Sequence, residues 1–287
     1  MGDCIYCGKP AGFLKNEHRE CKDLFEKENR RKQDLFEKGN REMVALVSST
    51  ITEGKPLNSL EQELRSIAES HSINSLDIKG HLIKGWEEAI DKSLEDGVLT
   101  KEEDSRLTDI RERFSLSQAD LDKNGAYTKL VQAAVLRDIF EGKIPARVKV
   151  EGTLPFNLQK AEQLVWLFQD VQYYEQKTRR EYVGGSVGGS VRIAKGIYLR
   201  TSSFKGHPVD RNETVNIGTG ILGVTNKHIY FTGKDKSFRI PYTKVVSFQP
   251  YSDGIVIQRD AASAKPQTFV TQHGWFTYNL ITNLAKM

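Results

Sequence analysis

Residues 220–233 read "GILGVTNKHIYFTG" and residues 237–257 read "SFRIPYTKVVSFQPYSDGIVI". β-branched and aromatic residues gather there into short runs, each closed by turn chemistry. The turns are Thr225-Asn226-Lys227, Gly233-Lys234-Asp235 and Asp253-Gly254. Such runs predict strands, and such turns predict hairpins. Reading outward adds "RVKV" (147–150), "QLVWLFQDVQYY" (163–174), "SVRIAKGIYLR" (190–200) and "QTFVTQ" (267–272). The total is about seven to nine strands at roughly 8–12-residue spacing, which predicts a small barrel or sandwich. The chain ends with "GWFTYNLITNLAK", where Trp275, Tyr278, Ile281 and either Thr282 or Leu284 share one helical face. That helix is expected to cap the open end of the barrel. Within this region "GGSVGGSV" (184–191) has neither a following Gly-Lys-Ser/Thr nor a GxGxxG register, so it is no phosphate loop. It reads as a flexible turn leading into a strand.

Strands followed by one closing helix resemble a pleckstrin-homology (PH)-like fold of the bacterial or GRAM kind. The residues that carry the resemblance are the two stretches quoted first and the final helix. It covers roughly 146–287. It implies a module that docks on phosphoinositides or on proteins, without fixing which residues bind. The basic candidates near turns are Lys205, Arg211, Lys227, Lys234, Lys236 and Arg239.

Upstream the periodicity becomes helical. Asp-Leu-Phe-Glu-Lys occurs at 23–27 and again at 34–38, a repeat of 11 residues. Eleven residues are almost three whole turns, so Leu24, Phe25, Leu35 and Phe36 line one stripe of a long amphipathic helix running toward Thr52. That stripe is expected to pack on the domain behind it, the other outcome being pairing with a second chain through 23–52. Four more helical stretches follow: 60–73, 78–94, 101–116 and 126–142. Thr100 with Glu103 forms a capping box, and Ser117 with Asp120 a weaker start signal. The joint "LEDGVLTKEED" (94–104) and "FSLSQADLD" (114–122) resemble the TerB-type helical domain of bacterial tellurium-resistance and stress proteins, over roughly 60–142. The same joint is similar to an EF-hand loop. Aligning Gly97 to its glycine puts Lys92 and Leu94 where carboxylates belong, leaving Asp96 and Glu103, too few ligands for Ca²⁺.

All three cysteines lie in the first 21 residues, as Cys4-x2-Cys7-x10-His18-x2-Cys21. Two pairs at that spacing supply the tetrahedron that Zn²⁺ takes from sulfur and nitrogen, a closed shell with no place for catalytic water. A segment this short buries no core, so one structural zinc per chain would supply its folding energy. A small treble-clef-like or knuckle-like finger is expected, with His18 and Cys21 at the start of the helix.

The expected organisation is a multidomain α+β chain: a zinc finger (1–22), a helical region (23–145) and a PH-like β domain (146–287). The net charge of +4 divides unevenly: residues 176–250 carry 13 Lys or Arg against 4 Asp or Glu, and the remainder is negative. That field suits phosphates of lipid or nucleic acid. No apolar run approaches the roughly 20 residues of a membrane span. The N-terminus shows no secretory pattern, so a cytoplasmic location, peripheral at the inner membrane, is expected. No nucleophile, carboxylate pair or nucleotide loop assembles, and His71, His81, His207, His228 and His273 are scattered. The expectation is a non-enzymatic adaptor that docks on a protein partner or an anionic surface; the resemblances place it in a bacterial stress or phage-defence setting. The alternative is a nucleic-acid-binding regulator, for which the finger offers Lys9, Lys15, Arg19 and the aromatics Tyr6 or Phe13.

Overall fold

The computed structural model describes residues 2–12, 15–95, 99–150, 152–194, 197–261 and 264–287, and over 178–212 the backbone alone. The chain divides into two compact units, Met1–Arg137 and Asp138–Met287.

In the first unit, helix α1 (Arg19–Thr52) is followed by α2 (Leu60–Ser70), α3 (Ile78–Ser93), α4 (Lys101–Arg113), the short α5 (Gln118–Leu121) and α6 (Ala126–Phe140). Only the second half of α1 joins the core: Met43, Val47 and Ile51 are fully buried with Leu64, Trp86, Ile90, Leu107 and Ile110. The helices approach closely where a side chain is missing. A Cβ on Gly85 of α3 would stand 2.5 Å from the Val47 Cβ of α1. The Trp86 indole N–H donates to the Leu107 carbonyl at 2.9 Å, so the largest core side chain is satisfied as well as buried. The Thr100–Glu103 capping box forms and starts α4. The Ser117 hydroxyl likewise accepts the Asp120 amide and starts α5. Of the EF-hand positions, Asp96 and Gly97 lie outside the described residues, and the Glu103 carboxylate is taken up by the cap.

The 11-residue stripe departs from expectation. Leu24 is 63% exposed, Phe25 47%, Leu35 42% and Phe36 41%. The helical core begins at Gly39, so the first half of α1 runs beyond it, and the stripe does not pack on that core.

The second unit is one antiparallel sheet of seven strands among the described residues. They are β1 (Leu164–Ala194), β2 (Ile197–Thr225), β3 (His228–Gly233), β4 (Ser237–Pro241), β5 (Val245–Pro250), β6 (Gly254–Arg259) and β7 (Gln267–Val270). Their order is β4-β3-β2-β1-β7-β6-β5. The sheet is therefore not closed, contrary to the expected barrel or sandwich: β1 pairs with both β2 and β7, but β4 and β5 remain two free edges. Pro241, which has no N–H to donate, ends β4, and a 3₁₀ turn at Tyr242–Lys244 carries the chain into β5. Residues 147–150 form no strand. Arg147 instead reaches back to Asp138 at 2.7 Å. The stretch 184–191 is no turn either; its backbone lies inside β1 and pairs with 199–206 of β2.

The final helix α7 (Gly274–Leu284) packs on β5 and β6. It buries Phe276, Thr277, Leu280, Ile281 and Leu284, while Trp275 is 66% exposed. Of the expected face, Ile281 and Leu284 are buried and Tyr278 is half-buried, while Trp275 is turned outward and Phe276 takes its place in the core. The Phe276 ring meets Trp166 edge-on at 4.8 Å. Below it Tyr173, Phe231 and Phe269 pack as an aromatic core with centroids 4.9–5.9 Å apart.

Candidate functional site

The N-terminal cluster forms as a knuckle on the first turn of α1. An antiparallel bridge joins Asp3 to Pro10, and the Gly8 amide donates to the Cys4 carbonyl at 2.8 Å. Gly8 takes φ +68°, a conformation that favours glycine, and this closes the Cys4–Cys7 turn. His18 caps α1 with extended backbone, and Cys21 follows in the first turn. The donor atoms of Cys4, Cys7, His18 and Cys21 all lie within 4.8 Å of one another. His18 Nδ1 is 3.5 Å from Cys7 Sγ and 3.7 Å from Cys21 Sγ. A tetrahedron with metal–sulfur bonds of about 2.3 Å and a metal–nitrogen bond of about 2.0 Å has edges of about 3.5–3.8 Å, so the four donors fit one cation. His18 Nε2 lies 3.1 Å from the Pro10 carbonyl. Donating there fixes the proton on Nε2 and leaves the Nδ1 lone pair for the cation.

The thiols differ in acidity as this crowding requires. Burial pushes Cys4 up, but the amides of His18, Tyr6 and Cys7 outweigh it and bring the thiol down to about 6. The His18 amide donates to its sulfur at 3.3 Å. Cys21 is pushed up to about 11, first by hydrogen bonding with Cys7 and then by burial and the charge of its neighbours. Sulfurs that disfavour one another's ionisation are what a shared cation relieves. Tyr6, an aromatic the finger could offer to a base, instead packs on Phe25 at 4.9 Å; Phe13 lies outside the described residues.

A second candidate lies at the end of the sheet that carries the β3–β4 turn. A cleft of about 430 Å³ is lined by Glu175 of β1, Lys236 of that turn, Lys244 before β5, and Arg259, Asp260 and Lys265 around the β6–β7 loop. Four cations face two carboxylates. The Lys236 ammonium binds Glu175, which also accepts the Tyr173 hydroxyl, and the Gln267 amide donates to that hydroxyl. Two buried polar atoms of the lining residues, Arg259 Nε and Gln267 Oε1, have no partner among the described residues. The cleft's cations outnumber its carboxylates four to two, which gives it a positive field.

Of the basic residues singled out in the sequence, the structure brings Lys236 to this cleft and leaves Lys234 exposed in the same turn. Lys227 sits at the opposite end, where its ammonium reaches the Lys160 carbonyl at 3.4 Å. Arg239 lies on β4 with guanidinium nitrogens 3.1 and 3.2 Å from the Gln159 side-chain amide. Lys205 and Arg211 fall where only backbone is described. Lys244, Arg259 and Lys265 went unread, and the only signal for them was proximity to loop ends.

One buried pair also went unread. Glu162 accepts Thr225 Oγ1 at 2.5 Å, the Gln159 amide at 2.7 Å, and Tyr230 and His228 Nδ1 each at 2.8 Å. Burial raises its carboxyl, but these donors win and hold it down at about 2. They tie the segment before β1 to the β2–β3 turn, so the arrangement locks structure.

No known protein family, curated protein sequence or solved structure matches the chain. No helix among the described residues is long and apolar enough to cross a membrane.

Proposed function

We propose that the protein is a non-enzymatic adaptor whose N-terminal site holds one structural zinc ion and whose β unit docks on anionic, phosphate-bearing headgroups of a membrane surface. The sulfur-rich tetrahedral donor set supports zinc, and its closed shell supports a structural role. The meander order with a helix after its last strand supports the PH-like reading of the β unit, and the chain of short helices is compatible with the TerB-like one. The observation that carries the docking reading is the cleft, where Lys236, Lys244, Arg259 and Lys265 outnumber Glu175 and Asp260.

Four cations against two carboxylates leave about two net charges to face an anionic leaflet, about 2 kcal/mol, a weak attachment that falls steeply with salt. The test is flotation of the full, metal-loaded chain with phosphatidylcholine vesicles, with and without phosphatidylserine. The chain should float with the anionic vesicles at low salt and be released at high salt. Lys244→Glu with Arg259→Gln should abolish flotation and leave the circular dichroism spectrum unchanged. Indifference to anionic vesicles at low salt sinks the reading, and a duplex shift sensitive to the same double variant would assign the cleft to nucleic acid instead.

A further inference from the structure

We propose that the exposed stripe of α1 pairs with the same stripe of a second copy of this chain, the two helices running antiparallel about a dyad at residue 30. At about 100° per residue, Leu24 and Leu35 form one edge of the stripe and Phe25 and Phe36 the other, with Glu28 and Lys32 between them. An 11-residue period drifts only about 20° per repeat, so the stripe runs almost along the helix axis and suits a nearly straight pair. Its four apolar residues are all exposed, as Ile5 and Leu76 are elsewhere in the unit; among the described residues Phe25 is the one of the four with a ring contact, with Tyr6.

Charge selects the occupant and its direction. Glu28 and Lys32 occupy the middle of the seam, and neither has an ion-pair partner among the described residues. In a parallel pair in register, Glu28 faces Glu28 and Lys32 faces Lys32. In an antiparallel pair, the positions 24 and 36, 25 and 35, and 28 and 32 all share the midpoint 30. Leucine then meets phenylalanine at both ends, and Glu28 meets Lys32 twice in the centre. That is the self-complementarity a two-fold interface requires, in which residue i meets j and j meets i. Arg30, at the dyad, points directly away from the seam and is already paired with Glu26 at 3.4 Å.

Sedimentation of the full, metal-loaded chain should show a concentration-dependent dimer. Leu35→Lys should raise the dissociation constant by at least about tenfold, because it removes apolar burial at both ends of the seam. Since Leu35 is exposed in the single chain, helical content should not change. Glu28→Lys and Lys32→Glu should each weaken the dimer, and the double variant should restore it. Glu28 and Lys32 also stand four apart on one helix, where a pair within the helix would show the same rescue. The two single variants mixed should therefore form a heterodimer tighter than either homodimer, which a helix that merely loses stability would not do. A chain that stays monomeric at the highest attainable concentration overturns the proposal. A dimer indifferent to either single charge reversal overturns the antiparallel seam.

Discussion

The carboxylate of Glu162 permits a quantitative test of the β unit, because its environment is closed and its partners are known. Its ordinary value near 4.5 falls to about 2 in the folded chain. The difference of roughly 2.5 units, at 1.36 kcal/mol each, makes ionised Glu162 worth about 3 kcal/mol of stability. Because the folded value is the depressed one, the contribution is complete above the unfolded value and is lost as pH falls from about 4.5 through about 2. Glu162→Gln keeps the volume but turns an amide toward donors, since each carboxylate oxygen now accepts two of them. The Thr225 and Tyr230 hydroxyls can rotate away; the Gln159 amide cannot. Urea unfolding of both chains, followed by hydrogen exchange in peptides covering 222–231, should show a gap of about 3 kcal/mol near neutral pH. The gap should shrink below about 1 kcal/mol as pH approaches 2. Other carboxylates and the metal site titrate in both chains and cancel. A gap independent of pH, or one under about 1 kcal/mol at neutrality, would refute the assignment of that stability to the ionised carboxylate.

Three further outcomes follow from the first unit. Gly85→Ala should lower stability, since its Cβ would stand 2.5 Å from Val47 Cβ and 2.9 Å from the Val44 carbonyl; overpacking of about 1–3 kcal/mol exceeds the gain in helix propensity of up to about 1. Gly80→Ala on the same helix meets nothing within 4 Å and should be neutral or stabilising in the same thermal melts. Thr100→Ala should cost about 1 kcal/mol in urea unfolding by removing the cap of α4, and Thr100→Ser should retain most of it. Elemental analysis should find about one zinc per chain, and Cys7→Ser should lower it sharply; a metal-free wild-type chain prepared under reducing conditions would disprove the site.

What the sequence made legible depended on how local the signal was. The metal cluster and the Thr100 cap are set by spacings of a few residues, and both appear where the spacing put them. The hairpins β2–β3, β3–β4 and β5–β6 were marked by turn residues. The stretch 184–191 was misread because four glycines suggested a turn, although Val183, Val187, Val191 and Ile193 recur at even intervals, as strand alternation requires. On α7 the expected Ile281 and Leu284 are buried, but Trp275 suggested an inward position by its size, whereas burial follows Phe276, Leu280 and Leu284. The cleft and the Glu162 pair were out of reach: His228 and Glu162 are 66 positions apart, and Lys236 and Arg259 meet only once a sheet has set their register.

The two proposals constrain each other through one magnitude. A cleft contributing about 2 kcal/mol leaves a single chain weakly held, with a dissociation constant on the order of tens of millimolar. Two clefts joined in one dimer and engaging the same surface approach twice that free energy, before the cost of aligning them, and so move toward the millimolar range. The stripe lies in the helical unit and the cleft in the β unit, so each can be removed without touching the other. Leu35→Lys should therefore weaken flotation with anionic vesicles although it alters no cleft residue. Lys244→Glu with Arg259→Gln should leave the sedimenting dimer intact although it abolishes flotation. If the Leu35→Lys monomer floats as well as the parent chain, the two clefts of a dimer do not act on one surface, and a single cleft must bind more tightly than its charge accounts for. That outcome would direct attention to the Arg259 guanidinium as a specific headgroup contact, whose affinity should then depend less on salt than the cleft's two net charges predict.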